Sequence, residues 1–483
     1  MAKKLYQEYF GGEIKDTKNF KNNIIINRWQ YNLITGSNNS NLDLILEDNG
    51  SKNLNALESS EEQKKYFIQN LKQKGFMDNS ENYLFDKKYE LKQQINYPKL
   101  SGPRGAFIEI TNACHLSCIT CYNEFTRAQS NKVMKTEKIK NIIDELYSFG
   151  ADFIALTGGE TTCRKDWFDI AKYVKEKDMF LRFYTCGVYP KKIRESILEN
   201  LVELSPGEIR ITYAGMEMND KVRVRKGKIN GTFDEITQSA KYLIDNKQNV
   251  KLNYILSHEN VSETEKFLEF AYTLNSKAPP KINIGPVRAY GNASLCHDFS
   301  FTSPSAQDFF NINNLVGHFR KEKGMDINII FDCLDKLSDK VMLQKKEKIA
   351  NTPWPMLHQG CDFGRSSLGI SYDGSISVCG IMGNGLIENA VKIAEENLDE
   401  LAKLGITPKN LRDNEFNNAT TKSIEDLWFN SPLLALMQYF YKKEDCEPCD
   451  KYRVQCMGMC PAMSLYDSGD MRRGDKGCVR KLL

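Results

Sequence analysis

The chain contains a cysteine motif at residues 111–122, which read TNACHLSCITCY. Its cysteines, Cys114, Cys118 and Cys121, have the spacing C-x3-C-x2-C and directly follow an apolar run at residues 107–111. Thiolates are the usual ligands of iron–sulfur clusters, and close spacing allows one loop to wrap a cluster. Three thiolates leave one iron of a four-iron cluster without a protein ligand, and a catalytic metal site needs such an open position. The motif therefore indicates a cluster that takes part in chemistry.

The alternative is that the three cysteines belong to a helix. Their offsets of 0, 4 and 7 also describe one helical stripe, and buried free cysteines are common in protein cores. However, the motif directly follows a strand-like run and is poor in strong helix formers. Both features favour a cluster-binding loop.

The composition is that of a folded protein in a reducing compartment. The 483 residues are 41% hydrophobic and 27% charged, a globular balance, and suggest roughly three domains. A formal charge of +3 gives no reason to expect nucleic acid or an anionic membrane as a partner. The sequence has no run of 18 apolar residues and no secretory signal, so we expect a cytoplasmic protein. There, the 14 cysteines are better suited to holding metal than to forming disulfides.

Residues 101–290 alternate short apolar runs with amphipathic helical stretches. Six runs are predicted strands: Phe107–Thr111, Phe153–Thr157, Phe180–Thr185, Glu208–Tyr213, Val250–Leu256 and Lys281–Val287. Helical patterns between them include Lys135–Phe149, Trp167–Asp178, Phe233–Asn246 and Glu263–Asn275. Six strand–helix repeats predict an α/β fold with a parallel sheet. Such a sheet can curl into a partial barrel that has its chemistry at the carboxyl ends of the strands.

Three further segments flank this region. Residues 1–100 are polar, contain no cysteine and are predicted to form a separate module. Residues 291–350 are predicted to form a mostly helical bridge. Residues 351–483 are rich in cysteine and are predicted to form a metal-binding domain.

The cysteine triplet resembles the signature of the radical S-adenosylmethionine (SAM) superfamily. The resemblance implies a partial (β/α)6 barrel in which the amino and carboxylate groups of SAM chelate the open iron. One electron from the cluster then cleaves SAM to methionine and a 5′-deoxyadenosyl radical, which abstracts hydrogen from the substrate. In such an enzyme the protein supplies placement and shielding.

A second motif, Gly158-Gly159-Glu160, ends the second predicted strand and resembles the GGE motif of the same family. In that family the backbone and the carboxylate of the motif hold the amino group of SAM. The residue types suit this task, because glycine permits close backbone approach and a carboxylate pairs with an ammonium group.

Four more residues stand where the family contacts SAM. Thr185 ends the third predicted strand, and Thr212 stands where relatives usually carry a serine near the ribose and carboxylate. Arg223 resembles the arginine that pairs with the SAM carboxylate, although it could equally be a solvated arginine of the basic run that ends at Lys228. Thr120 precedes the third cysteine, where relatives usually place an aromatic residue against the adenine.

Seven cysteines cluster near the end of the chain: Cys361, Cys379, Cys446, Cys449, Cys456, Cys460 and Cys478. Together with the residues that flank them, they resemble the SPASM domain of peptide-modifying radical SAM enzymes, which binds two auxiliary four-iron clusters. The resemblance implies that the ligands of the first auxiliary cluster are Cys361, Cys379 and Cys460. It implies that the ligands of the second are Cys446, Cys449, Cys456 and Cys478. With the SAM-binding cluster, the chain would hold three four-iron clusters.

Two points about these cysteines stay open. Cys333 either completes the first auxiliary cluster or is a buried structural thiol, and the cluster site could also be open to substrate or solvent. A zinc ribbon built from residues 446–460 is the alternative for this region, but it leaves the other cysteines unexplained.

Residues 20–85 loosely resemble the winged-helix-like element with which many such enzymes bind the leader part of a precursor peptide. The resemblance consists of strand-like runs at Asn23–Trp29 and Leu42–Leu46, followed by a helical pattern near Glu61–Gly75. An exposed sheet edge can bind an extended peptide by strand addition. The alternative is an unrelated folding or dimerisation module.

These resemblances predict a maturase of ribosomally made peptides (a RiPP maturase). It would use SAM to modify a precursor peptide oxidatively, closing a thioether or a carbon–carbon cross-link. A flavodoxin- or ferredoxin-type protein would supply electrons. Two other functions stay open: a sulfatase-type maturase that forms formylglycine, and a plain iron–sulfur electron carrier or binding protein.

Overall fold

The structure is a computed structural model. It describes residues 3–8, 11–16, 24–27, 68–69, 72, 77–80, 102–121, 133–225, 231–287, 304–329, 364, 367–377, 391–402, 405–413 and 415–440. The predicted strand at Leu42–Leu46 lies outside these residues, as does most of the predicted helix at Glu61–Gly75.

The described N-terminal residues form a small antiparallel sheet. Its strands are β1 (Lys3–Glu8), β2 (Gly11–Asp16) and β3 (Ile24–Asn27), in the spatial order β1-β2-β3. The sequence pattern predicts β3 but not β1 or β2, because residues 3–16 are too charged to show the apolar alternation of a strand.

A larger sheet forms the centre of the molecule. Within the described residues it has nine strands: β4 (Gly105–Glu109), β5 (Phe153–Thr157), β6 (Phe180–Thr185), β7 (Glu208–Tyr213), β8 (Val250–Leu256), β9 (Lys281–Pro286), β10 (Ile327–Ile329), β11 (Ser367–Ile370) and β12 (Ile376–Ser377). Their spatial order is β10-β9-β8-β7-β6-β5-β4-β11-β12. Neighbours are parallel from β10 to β11, and only β11 and β12 pair antiparallel.

The six predicted strands are confirmed as β4 to β9. The first begins and ends two residues earlier than predicted, at Gly105–Glu109, because the chain leaves the ladder before Thr111 to form the cysteine loop. The sheet also extends beyond the six predicted strands. On one side β10 pairs with β9, and on the other β11 pairs with β4.

Helices connect the parallel strands. The helices in the described part of the chain include α1 (Thr136–Ser148), α2 (Trp167–Glu176), α3 (Arg194–Leu204), α4 (Glu217–Val222), α5 (Phe233–Asp245), α6 (Thr264–Leu274), α7 (Ala306–Lys323), α8 (Leu398–Ala402), α9 (Pro408–Arg412), α10 (Ile424–Asn430) and α11 (Pro432–Phe440). The four predicted helices are confirmed as α1, α2, α5 and α6. In the described part of the chain, no helix is long and apolar enough to span a membrane.

The two faces of the sheet have different chemistry, and β7 shows the difference. Ile209, Ile211 and Tyr213 are buried in the apolar core. The Tyr213 ring lies 5.7 Å from that of Phe233 in α5 and 5.3 Å from that of Phe267 in α6. Because side chains alternate along a strand, Thr212 and the other intervening residues point to the opposite, inner face. Polar residues therefore line the inside of the partial barrel.

Candidate SAM and iron–sulfur site

The cysteine loop follows β4 and runs in extended conformation. Its second half lies antiparallel to residues 222–225: Ser117 N donates to Val224 O at 2.8 Å, and Ile119 N donates to Val222 O at 2.9 Å. These bonds exclude the helical alternative for the triplet. Cys114, Cys118 and Cys121 are half-buried along this one loop.

The burial of these thiols affects their charge. Burial raises the pKa of both Cys114 and Cys118. A bond of 3.4 Å from Leu116 N to Cys114 Sγ and the nearby Arg223 guanidinium beside Cys118 act in the opposite direction. Without a metal the neutral thiols are therefore favoured. A bound iron reverses this preference, because it binds and stabilises the thiolate.

The thiols are suited to a cluster rather than to a single ion. Within the described ranges, no three His, Cys, Asp or Glu side chains converge on one metal-ion position. Each thiolate ligand of a four-iron cluster binds its own iron, so the sulfur atoms need not converge. The chemistry of the donors fits the group that the sequence predicts.

The two glycines of the second motif lie against the cysteine loop. Gly159 N donates to Thr111 O at 2.8 Å, and Glu160 N donates to Ala113 O at 2.8 Å. A Cβ on Gly158, whose φ is +149°, would lie 2.2 Å from Thr111 O, and one on Gly159 would lie 2.4 Å from Ala113 O. Neither space admits a side chain. The glycines are therefore required by the close approach of two protein segments.

The Glu160 carboxylate is buried, with 1% exposure, and is held by donors from two strand ends. Its Oε1 accepts from Thr162 Oγ1 at 2.8 Å and from Thr185 Oγ1 at 2.9 Å. Its Oε2 accepts from Cys186 N at 2.6 Å. A buried carboxylate needs such donors to offset its lost hydration. These bonds join the end of β5 to the end of β6 and fix the position of the charge.

Arg223 is buried beside the cysteine loop, with 7% exposure, which excludes the solvated alternative. Its Nη2 donates to Cys186 O at 3.3 Å. Its Nε is buried and has no hydrogen-bond partner among the described residues. Because buried donors are nearly always paired, this orphaned N–H fits an anionic group such as a carboxylate.

The predicted threonines occupy three different environments. Thr185 is buried, and its hydroxyl is engaged by Glu160 and by Tyr189, whose oxygen lies 2.9 Å away. Thr212 is half-buried on the inner face of β7. Thr120 is half-buried in the turn before Cys121.

Sequence reasoning missed the part played by His115. Its Nδ1 lies 3.3 Å from Cys163 Sγ, and its Nε2 bonds Val188 O and lies 3.6 Å from Cys186 Sγ. The ring therefore ties the cysteine loop to the segment after β6. The signal available in the sequence is the position of His115 inside the triplet and of Cys186 after Thr185.

Comparison with known proteins identifies the central domain. The model of the radical SAM superfamily matches residues 108–271. Residues 108–271 are therefore a radical SAM domain. Enzymes of this family use a four-iron cluster and SAM. The match spans the cysteine loop, the Gly-Gly-Glu motif and β5 to β8, so the site described above lies within the radical SAM domain.

Individual proteins are also similar to this chain, two of those named here over most of its length. It is 23% identical to PqqA peptide cyclase of Granulibacter bethesdensis over 384 residues, which cover 79% of this chain and 88% of that protein. It is 30% identical to Fe-coproporphyrin III synthase of Methanosarcina barkeri over 155 residues, which cover 32% and 37%. The crystal structure of Streptococcus suis SuiB bound to precursor peptide SuiA has the same fold. It has a TM-score of 0.64 and 15% identity, and covers 99% of this chain and 98% of SuiB.

The auxiliary ligands predicted for this radical SAM enzyme lie outside the described residues. They are Cys361, Cys379, Cys446, Cys449, Cys456, Cys460 and Cys478, together with the spare cysteine Cys333. Their assignment to two auxiliary clusters stays a prediction.

Proposed function

We propose that this radical SAM enzyme oxidatively modifies a ribosomally made precursor peptide. The observation that carries the proposal is a peptide cyclase relative aligned over 79% of the chain. A fold shared along 99% of the chain with a structure that contains a precursor peptide adds support. The product would be a thioether or a carbon–carbon cross-link.

In this proposal, Cys114, Cys118 and Cys121 hold the SAM-binding cluster. When bound, the cluster and SAM supply the radical that removes a hydrogen atom from the peptide. Arg223 binds the SAM carboxylate through its unpaired Nε–H, and its burial strengthens the pairing because water is excluded. The position of Arg223 next to Cys118 supports this assignment.

The remaining SAM contacts in the proposal come from the ends of the strands. Gly158, Gly159 and Glu160 receive the amino group of SAM, with the carboxylate of Glu160 held ready by its hydroxyl and N–H donors. Thr185 acts by holding Glu160. Thr212 and Thr120 contact the nucleoside part of SAM.

The flanking segments have separate tasks in this proposal. Residues 1–100 bind the leader of the precursor, and an edge of the β1–β3 sheet is suited to strand addition. Residues 351–483 form a SPASM domain whose two auxiliary clusters accept the second electron of the oxidation. A flavodoxin- or ferredoxin-type protein reduces the SAM-binding cluster.

The test is an anaerobic assay of the full, cluster-reconstituted chain with SAM, dithionite and a synthetic precursor. The precursor is the peptide encoded by a short reading frame beside the gene. We expect 5′-deoxyadenosine and a peptide that has lost two hydrogen atoms at a cross-link located by fragmentation. A Cys118→Ser variant should give neither product.

Other outcomes would replace the proposal. An unmodified peptide with abundant 5′-deoxyadenosine would mean that the substrate is not this precursor. A product that reacts with a hydrazide would carry formylglycine and would indicate a sulfatase-type maturase. The absence of 5′-deoxyadenosine would leave the electron-carrier function.

A further inference from the structure

A row of polar side chains crosses the inner face of the sheet. Thr212 on β7 pairs in register with Asn253 on β8, Asn253 with Asn283 on β9, and Asn283 with Asn328 on β10. Each asparagine stands between two apolar residues of its strand, in the local sequences LNY, INI and INI. Asparagine is disfavoured in strands, so its repetition at one register position needs a physical reason.

The three amides form a directed chain of hydrogen bonds. Asn328 Nδ2 donates to Asn283 Oδ1 at 3.4 Å, and Asn283 Nδ2 donates to Asn253 Oδ1 at 3.2 Å. Asn283 is only 3% exposed. The two bonds engage both its side-chain oxygen and its side-chain nitrogen. At the inner end of this chain of hydrogen bonds are the Nδ2 donors of Asn253. Within the described residues, no hydrogen bond uses them.

The inner end of the row lies near the SAM site. Thr212 is on β7, which pairs with β6, and β6 ends at Thr185. Thr185 and the following Cys186 N–H hold the Glu160 carboxylate. The outer end of the row, Asn328, is exposed and lies on β10, the edge strand of the described sheet. The row therefore leads from the open edge of the partial barrel to the SAM site.

The chemistry of the inner end selects a hydrogen-bond acceptor. Asn253 offers N–H donors and carries no charge. A neutral carbonyl oxygen matches this set, and the partly buried setting favours a ligand that replaces water at each donor. Peptide backbone carbonyls have this chemistry, whatever the side chains of the peptide are.

We propose that Asn253, held in orientation by Asn283 and Asn328, donates to a backbone carbonyl of the substrate peptide. This contact places the adjoining residue beside the radical site. The inference rests on the proposed function, because it supposes a peptide substrate. It adds the residue that positions the peptide and the group of the peptide that is recognised.

The kinetic test uses Asn253→Asp in the full chain. Aspartate keeps the oxygen that accepts from Asn283 but replaces the donors with an acceptor that repels a carbonyl. We expect KM for the precursor to rise about 10- to 100-fold, since a site that hydrogen-bonds its ligand strongly rejects a mismatched partner. SAM affinity and peptide-independent formation of 5′-deoxyadenosine should stay within about twofold of wild type, a range below 1 kcal/mol.

The matched control is Asn249→Asp. Asn249 is exposed, immediately precedes the same strand, and donates to Gly207 O at 2.6 Å. We expect this variant to keep the wild-type KM. An unchanged KM in Asn253→Asp would overturn the inference, because the row would then only stabilise the sheet. A loss of SAM affinity as large as the rise in KM would also overturn it, because the row would then act on the cofactor.

A second measurement does not need the natural substrate. Saturation-transfer NMR with N-acetyl-trialanine amide reports weak binding of a bare peptide backbone. We expect a signal with wild type and Asn249→Asp, and its loss with Asn253→Asp. No signal with wild type, or equal signals in all three proteins, would overturn the inference. Binding of this probe by an enzyme that modifies no precursor would contradict the proposed function and leave the carbonyl contact standing.

Discussion

At the scale of single residues, the site depends on the absence of side chains at Gly158 and Gly159. Each glycine lies against a backbone carbonyl of the cysteine loop, and Gly159 and Glu160 donate to that loop. The same residues are predicted to approach SAM. A change at either glycine therefore acts on the cluster loop as well as on SAM.

We expect Gly159→Ala to reduce both iron content and SAM cleavage. The new Cβ would lie 2.4 Å from Ala113 O, so the loop that carries Cys114 must shift. Iron analysis after anaerobic reconstitution and the yield of 5′-deoxyadenosine measure the effect. The control is Gly317→Ala in α7, where a Cβ meets no atom within 4 Å and should stabilise the helix by roughly 0.5–1 kcal/mol. Full iron content in Gly159→Ala would contradict the expected contact.

The Glu160 carboxylate is expected to contribute both to SAM binding and to the stability of the fold. We expect Glu160→Ala to weaken SAM binding by on the order of 2–4 kcal/mol, the usual effect of removing one partner of a buried charge pair. The free energy of unfolding should also fall by about 1–3 kcal/mol, because buried donors from Thr185 and Cys186 lose their acceptor. Calorimetry with SAM and denaturant unfolding measure the two effects.

The control for this variant is Glu199→Ala, which removes an exposed carboxylate from α3. It should leave both quantities unchanged. Equal SAM affinity in wild type and Glu160→Ala would show that the carboxylate only joins β5 to β6.

At the scale of elements, α7 is attached to the segment after β8 by an ion pair. His258 Nδ1 lies 2.8 Å from Asp308 Oδ2, and Asp308 also completes the capping box of α7 with Ser305. The hydrogen bond and charge of Asp308 raise the pKa of His258 above its usual value. Burial alone would raise the pKa of Asp308, but its bonds to His258 and Ser305 lower it.

The sign of the pH dependence follows from these shifts. The pKa of His258 is raised in the folded state, so its pairing with Asp308 contributes to the free energy of unfolding. This contribution is fully present below about pH 6.5 and is lost as pH rises through the folded pKa. We therefore expect His258→Gln to lower the unfolding temperature at pH 6 and to have little effect at pH 9. Thermal unfolding of both proteins at each pH measures the difference.

His318→Gln is the control for this pair, because His318 is exposed on the same helix, α7. At pH 6 it should lower the unfolding temperature less than His258→Gln does. An effect of His258→Gln that is equal at pH 6 and pH 9 would show that the pair is not charged in the folded protein.

At the scale of the whole molecule, the C-terminal residues are attached to the barrel. Strand β11 pairs with β4, and Ser371 Oγ donates to the buried Glu109 carboxylate at 2.7 Å. Ile424 N, at the start of α10, donates to Glu145 Oε2 of α1 at 2.6 Å. The described C-terminal residues are therefore continuous with the fold that carries the candidate SAM site.

We expect about twelve irons per chain, from three four-iron clusters. Iron and sulfide analysis of the anaerobically reconstituted protein measures the total. Replacing Cys114, Cys118 and Cys121 together with alanine should remove about a third of the iron and leave the rest. A total near four irons, or zinc in place of iron, would contradict the SPASM assignment.

Deletion of residues 1–95 should separate SAM cleavage from peptide modification. The candidate SAM site lies entirely after this segment, so dithionite should still yield 5′-deoxyadenosine. Loss of leader binding would remove an effective peptide concentration in about the millimolar range, so modification should fall steeply at micromolar peptide. Mass spectrometry of the peptide beside the 5′-deoxyadenosine yield measures both. Undiminished modification would contradict leader recognition, and loss of SAM cleavage would make the segment structural.

The amino-acid sequence by itself determined the class of the protein and most of its barrel. The six runs now seen as β4 to β9 are strands of five to seven residues in which apolar residues recur, long enough for the pattern to be read locally. The cysteine triplet and Gly158-Gly159-Glu160 are also local, because their spacing along the chain carries the signal. No tertiary information is needed to find them.

Only the tertiary structure decided which distant residues meet. Strand β10 has three residues and β11 has four, too few for a periodic signal, and each joins the sheet through a partner far away in the chain. The position of Arg223 beside Cys118 depends on pairing between the cysteine loop and residues 222–225. The asparagine row depends on the register of parallel strands joined by long crossovers. Register and loop pairing are set by packing between segments, so no single segment of the sequence encodes them.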